Sequence, residues 1–347
     1  MDEHEILLRA MVQDAGGGGR ILTRFRAGEP LPRGPVARRL EKAGLETRIR
    51  GRLAAARELG YEPLAGEVFP GFRNLPEPPL LVYAAGEPPA VGRPVLAMVG
   101  SRRPSGYGLR MARRLAGEVA AAGVSVVSGL ARGIDGEAHE GALEAGGHTV
   151  AVLGSGPDRV YPPEHEALLA RIQEEGCVLT EHLPGTPPRK HHFPRRNRLM
   201  VALARALLVV QARVRSGTLT SVRWAADLGR EVLVLPGPVD AAAGEGPLLL
   251  LREGATPVGS AAHVLEALGL EEGSGKSSAS PGVSTTGLSP AEERVLALLD
   301  GEPLDLDEVV RLSGEAPGRL LALLLGLEAR GLVQRDQAMR YGLRSPG

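Results

Sequence analysis

Between residues 93 and about 268 the chain alternates short aliphatic runs with glycine-containing loops and helical stretches. The runs are Val95–Val99, Val124–Val127, Thr149–Leu153, Cys177–Thr180, Ala206–Val210 and Glu231–Leu235. They are apolar almost throughout, as strands covered on both faces must be. Helical stretches fall between them at Gly108–Ala122, Gly136–Ala145, Glu164–Glu175, Arg195–Leu203 and Thr218–Leu228. Six strands with crossover helices predict an α/β fold with a doubly wound parallel sheet. Ligands of such sheets bind beyond the carboxyl ends of the strands. Here those ends are the loops that start at Gly100, Gly129, Gly154, Glu181, Ala212 and Pro236.

The flanks set the remaining divisions. Residues 1–85 read as a small N-terminal helical domain, with helices at Pro35–Ala43 and Thr47–Leu59 and a Pro-rich close at Pro70–Pro79. Residues 86–270 hold the sheet, and 271–287, EEGSGKSSASPGVSTTG, form a Gly/Ser linker. Gly275-Lys276-Ser277 imitates the end of a P-loop, but Leu270 stands where the upstream glycine is required, and no strand precedes it. Residues 288–347 form a C-terminal domain. Ser289-Pro290-Ala291-Glu292 and Asp305-Leu306-Asp307-Glu308 open two helices as capping boxes. A third helix lies near Pro317–Arg330, and Leu332–Asp336 can pair with Met339–Leu343 as a hairpin. Three helices and a hairpin make a winged-helix-like pattern. Its third helix, GRLLALLL, offers bases almost nothing polar, so a partner-binding or packing module stands beside the duplex-DNA reading.

Composition enters through charge. Lys+Arg and Asp+Glu are both 41, and a net charge of zero seems to argue against nucleic acid. The distribution reverses that inference. Residues 189–230 hold ten cations against one acid, Asp227, whereas 240–308 hold thirteen acids against three cations. Cys177 is the only cysteine, so no intramolecular disulfide and no Cys-based zinc site can form. The N-terminus is acidic, and the apolar run Leu199–Val210 is interrupted by Arg205 and too short to span a bilayer. The reading is a cytoplasmic protein that engages no membrane.

Four loops carry chemistry. Gly100-Ser101-Arg102-Arg103-Pro104-Ser105 follows the first strand and opens a helix, where backbone N–H groups bind phosphate. The plainer alternative is a tight turn with solvated arginines. Ser128-Gly129-Leu130-Ala131-Arg132-Gly133-Ile134-Asp135, with His139 four residues on, suits a close backbone approach. Asp135 and His139 could be an acid–base or metal pair, or a helix cap and a locally bonded histidine. Arg189-Lys190-His191-His192-Phe193-Pro194-Arg195-Arg196-Asn197-Arg198 combines a basic cluster with a lone aromatic. Such a platform stacks single-stranded bases while arginines pair with phosphates, unless Phe193 folds into the core. Arg213-Val214-Arg215-Ser216-Gly217-Thr218 precedes another helix, as a phosphate site or an ordinary cap.

Together these stretches resemble the DNA-processing protein A family (DprA, also called Smf). The resemblance rests on VGSRRPSGYG, VSGLARGIDGEAHEGAL, GGHTVAVLGSGPDRVYPPEH, FPRRNRLMVAL, RSGTLT and GREVLVLPGPV, and runs over residues 95–268. It implies an extended Rossmann-like fold that binds single-stranded DNA, with no cofactor and no hydrolysis. It implies protection of incoming DNA, loading of a RecA-type recombinase in natural transformation, and a homodimer. The family's DNA pocket maps onto Gly100, Ser101, Arg102, Phe193, Arg196, Asn197, Arg198, Ser216, Gly217 and Thr218. Its dimer surface maps near Leu248, Leu249 and Leu250. This chain departs from the family at Gln211, where Glu is usual, at Ser101 for Thr, at Thr218 for Ser, and at Pro247.

Two other functions compete. Phosphoribohydrolases have related folds, but they carry a Pro-Gly-Gly-x-Gly-Thr loop that Pro236-Gly237-Pro238-Val239-Asp240 breaks, and no paired catalytic carboxylates are evident. A winged-helix regulator of double-stranded DNA would have to work through the leucine-rich third helix.

Overall fold

The predicted runs become strands, and all but Glu231–Val234, whose first residue is exposed, are buried on both faces. The computed structural model describes residues 1–214, 216–238, 241, 244–270, 289–299, 304–329, 332–335 and 340–343. The linker 271–287 and several acids of the 240–308 stretch lie outside them. The strands of the sheet are β1 (Glu62–Ala65), β2 (Leu81–Gly86), β3 (Val95–Val99), β4 (Ser125–Ser128), β5 (Thr149–Leu153), β6 (Cys177–Thr180), β7 (Ala206–Val209), β8 (Glu231–Val234) and β9 (Thr256–Pro257). Their order is β1-β2-β6-β5-β4-β3-β7-β8-β9. From β6 to β9 neighbours are parallel, while β1 and β2 join antiparallel at one edge. The chain winds outward from β3 to β6, then returns to β7 on the other side of β3. The order therefore reverses between β3 and β7, the place where ligands of such sheets bind.

The helices of this unit are α1 (Glu3–Asp14), α2 (Gly19–Arg26), α3 (Pro35–Leu40), α4 (Leu45–Glu58), α5 (Gly106–Ala121), α6 (Ile134–Glu144), α7 (Glu166–Glu175), α8 (His192–Leu203), α9 (Thr218–Asp227), α10 (Glu245–Arg252) and α11 (Ala261–Ala267). Strand alternation sorts them. Val95, Ala97, Val99, Val150 and Val152 point to one face, beneath Leu199–Ala202 of α8 and Ala225 of α9. Leu96, Met98 and Val126 point to the other, against α5, α6 and α11. Farther along that second face, Leu81, Tyr83, Ala85, Ala151 and Leu153 meet α7 and the N-terminal helices. Residues 1–85 thus supply two strands as well as helices, and residues 1–273 form one compact unit. Cys177 is fully buried in β6, which pushes its thiol up to about 12. No described helix is long and apolar enough to cross a membrane.

Residues 274–347 form the second unit. It contains α12 (Pro290–Leu298), α13 (Leu306–Ser313), α14 (Pro317–Ala329) and an antiparallel pair, β10 (Val333–Arg335) and β11 (Tyr341–Leu343). Both capping boxes form. Leu320, Leu324 and Leu327 of α14 pack on Val295, Leu299 and Val309. The leucines that make α14 a poor reader of bases are the core of this unit.

Candidate functional site

A cavity of about 560 Å³ opens where the strand order reverses. Gly100, Ser101 and Arg102 enter it from the end of β3, and Phe193, Arg196 and Asn197 from the first turns of α8. Ser216, Gly217 and Thr218 enter from the segment leading into α9. Three loops separated by some ninety or more residues of sequence between the first and second therefore meet on one side of the sheet. Arg198 is not among them. It is buried and its guanidinium donates to the Glu181 carboxylate, away from the cavity. Arg215 lies outside the described residues.

The first loop is held by its neighbours. Ser105 caps α5 through its hydroxyl, which accepts from Gly108 N–H at 3.2 Å. Gln211, fully buried at the end of β7, clamps that cap from both sides. Its Oε1 accepts from Ser105 N–H at 3.0 Å, and its Nε2 donates to Ser105 Oγ at 2.8 Å. A neutral amide supplies both the acceptor and the donor that this geometry uses. A Cβ on Gly108 would lie 2.3 Å from Gln211 Oε1, so a side chain there would displace this clamp. Thr218 Oγ1 donates to Gly100 O at 3.2 Å and ties the first loop to the third. The preceding Gly217 offers no side chain to cap α9, so the positive end of that helix is open to an anion.

Arg196 forms the polar floor. It is buried, and its Nη1 donates to Val152 O at 2.6 Å. A Cβ on Gly129 would sit 1.8 Å from that Nη1, so the guanidinium can lie there only against glycine. Burial pulls Arg196 down to about 10, which leaves it charged at neutral pH. Asp135 is buried near it, where the Arg196 charge and the backbone of Ala131 and Gly129 favour its carboxylate form. Burial raises its carboxyl above the usual range, with the Arg196 charge opposing. Asp135 is not the cap of α6, which Gly133 provides. Nor does it pair with His139, whose Nδ1 is 2.7 Å from Thr149 Oγ1 and whose imidazole is held by burial at about 3.

Around this floor several polar atoms have no partner: Arg196 Nε, Ser216 Oγ and Ser221 Oγ are buried and unbonded. Such groups are rare and mark places where something else completes the bonding. Above them Phe193 is half-buried, with the Arg102 guanidinium 5.3 Å from its ring centroid. The Tyr161 ring lies 5.5 Å away at 45°. Exposed Arg102, Lys190 and Arg213 stand at the rim. Tyr161, Met200 and Ser221 line the cavity from outside the four loops singled out in the sequence. The signal for Tyr161 was available, since aromatics are only 3% of the chain. At the expected dimer surface, Leu248 is exposed and Leu249 half-buried, but Leu250 packs into the core.

The profile of the DNA recombination-mediator protein A family matches residues 65–269. The chain belongs to that family. The DprA winged helix domain matches residues 279–338, in accord with the second unit. The putative DNA processing protein DprA of Mycobacterium tuberculosis is 40% identical over 300 residues, covering 84% of this chain and 77% of its own length. Protein Smf of Synechocystis is 34% identical, covering 78% and 76%. Two solved family members share the fold. DprA from Streptococcus pneumoniae superposes with TM-score 0.60 at 28% identity, over 76% of this chain and 95% of that one. DNA processing protein A from Helicobacter pylori, described for its single-stranded-DNA binding mode, gives TM-score 0.56 at 30% identity, over 60% and 95%.

Proposed function

We propose that this chain is a single-stranded-DNA-binding recombination mediator that protects incoming DNA and loads a RecA-type recombinase in natural transformation. The observation that carries the reading is the joint content of the cavity. It sets a half-buried aromatic under a guanidinium, beside a buried cation and two hydroxyls that lack partners. Single strands need a stacking face and phosphate donors together, whereas duplex DNA offers no unstacked base. Phe193 takes a base, Arg102, Lys190 and Arg213 take phosphates, and the start of α9 with Ser216, Gly217 and Thr218 takes another. Arg196 and Asn197 serve from the floor. Arg198 holds Glu181 instead of DNA. The single-stranded-DNA binding described for the Helicobacter pylori relative agrees with this assignment.

No bond is made or broken in this reading, so it needs neither catalytic residue nor cofactor. A phosphoribohydrolase-like enzyme would need two carboxylates, and among the described residues Asp135 is the only acid lining the cavity. We also assign a homodimer through the outer side of α10 at Leu248 and Leu249, and action in the cytoplasm.

The test is fluorescence anisotropy with single- and double-stranded oligonucleotides, followed by recombinase nucleation on the bound strand. Single strands should bind more tightly and weaken with salt as counterions are released. Equal affinity for duplex, or full affinity in the Arg102→Ala/Phe193→Ala double variant, would overturn the pocket assignment. A truncation ending at Leu268 that loses all binding would move the activity to the winged-helix unit.

A further inference from the structure

A second cavity, of about 330 Å³, borders the same turn of α8. Residues 189–197 divide between the two. Lys190, Phe193, Arg196 and Asn197 line the first, while Arg189, His191, His192 and Arg195 line the second. Helical spacing explains the split: 192 and 195 share one face of α8, and 193, 196 and 197 another. Lys190 and His191 are consecutive, so the two cavities border adjacent residues of the chain.

The second cavity has the chemistry of a nucleotide. Its size is near the low end of about 300–1,000 Å³ for ligand pockets. The His182 and His192 rings stack with centroids 4.4 Å apart at 28°, and His191 meets His192 edge-on at 4.5 Å. Burial, and then the neighbouring His192, push His182 down to about 3, while His192 is also lowered. At neutral pH the His182 and His192 rings are uncharged. Two acids also line the cavity, but both are already neutralised. Asp14 pairs with Arg48 and Arg52, and Glu181 pairs with Arg198. Arg189 and Arg195 are exposed and form no ion pair with any described residue. The balance left for a ligand is positive.

We infer that a strand held in the first cavity continues over the N-terminal end of α8 into the second, which binds a neighbouring nucleotide of the same strand. The imidazole faces take its base, and Arg189 and Arg195 take its phosphates. This rests on the function proposed above and extends its binding site to both sides of α8.

The experiment titrates oligo-dT of increasing length against the full chain and the Arg189→Ala/Arg195→Ala variant, with His191→Ala in parallel. Urea midpoints verify that each variant is folded. The shortest oligonucleotides should bind variant and parent alike. Longer ones should bind the double variant at least about tenfold more weakly, with a log K against log salt slope smaller by about 1.4 for two lost phosphate contacts. Arg195→Lys should restore most of that slope. Unchanged affinity at every length would overturn the second subsite. An equal loss at every length would overturn it too, by assigning these arginines to the first cavity. If the parent chain binds no single strand at all, the proposed function itself fails.

Discussion

The two compact units treat their polar groups in opposite ways. In the winged-helix unit Ser289 and Glu292 satisfy each other's backbone N–H groups, and Asp305 and Glu308 do the same. Its interior is Val and Leu with one Tyr. In the sheet unit a buried guanidinium edge and two buried hydroxyls are left without partners at the reversal of strand order. Each such group costs about 1–3 kcal/mol while it stays unmade. Tyr61 Oη, His139 Nε2, Arg198 Nη1 and Arg230 Nε are also unpartnered elsewhere in the sheet unit, so what distinguishes the cavity is that three such atoms gather in it.

The sharpest break between the units comes from cavity creation. Leu324→Ala should destabilise the winged-helix unit by about 2–5 kcal/mol. Trp224 is the only tryptophan and lies in the sheet unit, so its fluorescence reports that unit alone. Calorimetry should show an early transition while the Trp224 transition and single-strand affinity stay put. A fall in affinity would mean that the winged-helix unit takes part in binding.

Acid should separate the units next. All eight histidines lie before residue 274, and burial holds His139 and His182 at about 3. Their unfolded values are about 6.5, so below that pH the unfolded chain takes up protons that the fold refuses. Stability present above pH 6.5 is lost as pH falls towards 3, at about 1.4 kcal/mol per unit for each group. Asp135 acts in the opposite sense: its raised carboxyl favours the fold at low pH and loses that contribution as pH rises through its own value. Burial lowers His148 and His192 as well, so the urea midpoint read by Trp224 should fall between pH 6.5 and 4.5. A flat midpoint would show that the imidazoles are not sealed from water.

Smaller effects sharpen the cavity itself. Phe193→Ala should cost about 1–3 kcal/mol of single-strand affinity if it stacks one base. Its unfolding midpoint should move far less, because Phe193 is only half-buried. Arg102→Ala should change least: anisotropy at several salt concentrations should give a slope lower by about 0.7, one phosphate, with no change in stability. A slope that does not move would remove Arg102 from the strand's path.

The sheet was legible because strands buried on both faces leave continuous aliphatic runs, and all six predicted runs became β3 to β8. The edge was not. Glu62–Ala65 is four residues with an internal proline, tolerable only on an edge strand, and its pairing with Leu81–Gly86 is set by contacts distant in sequence. Within the cavity, glycine, serine and arginine loops announced themselves. Helix phase did not. The spacing predicts α8 from Arg195, but it starts at His192, and two residues suffice to turn Arg198 from Arg196's side towards Glu181. A buried acceptor 17 residues upstream cannot be read from local pattern. Leu250 was misplaced in the same way, since Leu248–Leu251 is uniformly apolar and only the helix phase says which leucine faces the core.

The sealed thiol of Cys177 has a practical side. A thiolate is the species that oxidants and alkylating reagents attack, and this one is both inaccessible and held protonated. Cys177 should therefore resist alkylation and thiol oxidation as long as the fold is intact. A cysteine introduced at the rim, for example at Lys190 or Arg213, would be the single reactive thiol of the molecule and could carry a fluorophore to the mouth of the cavity without first removing the native residue.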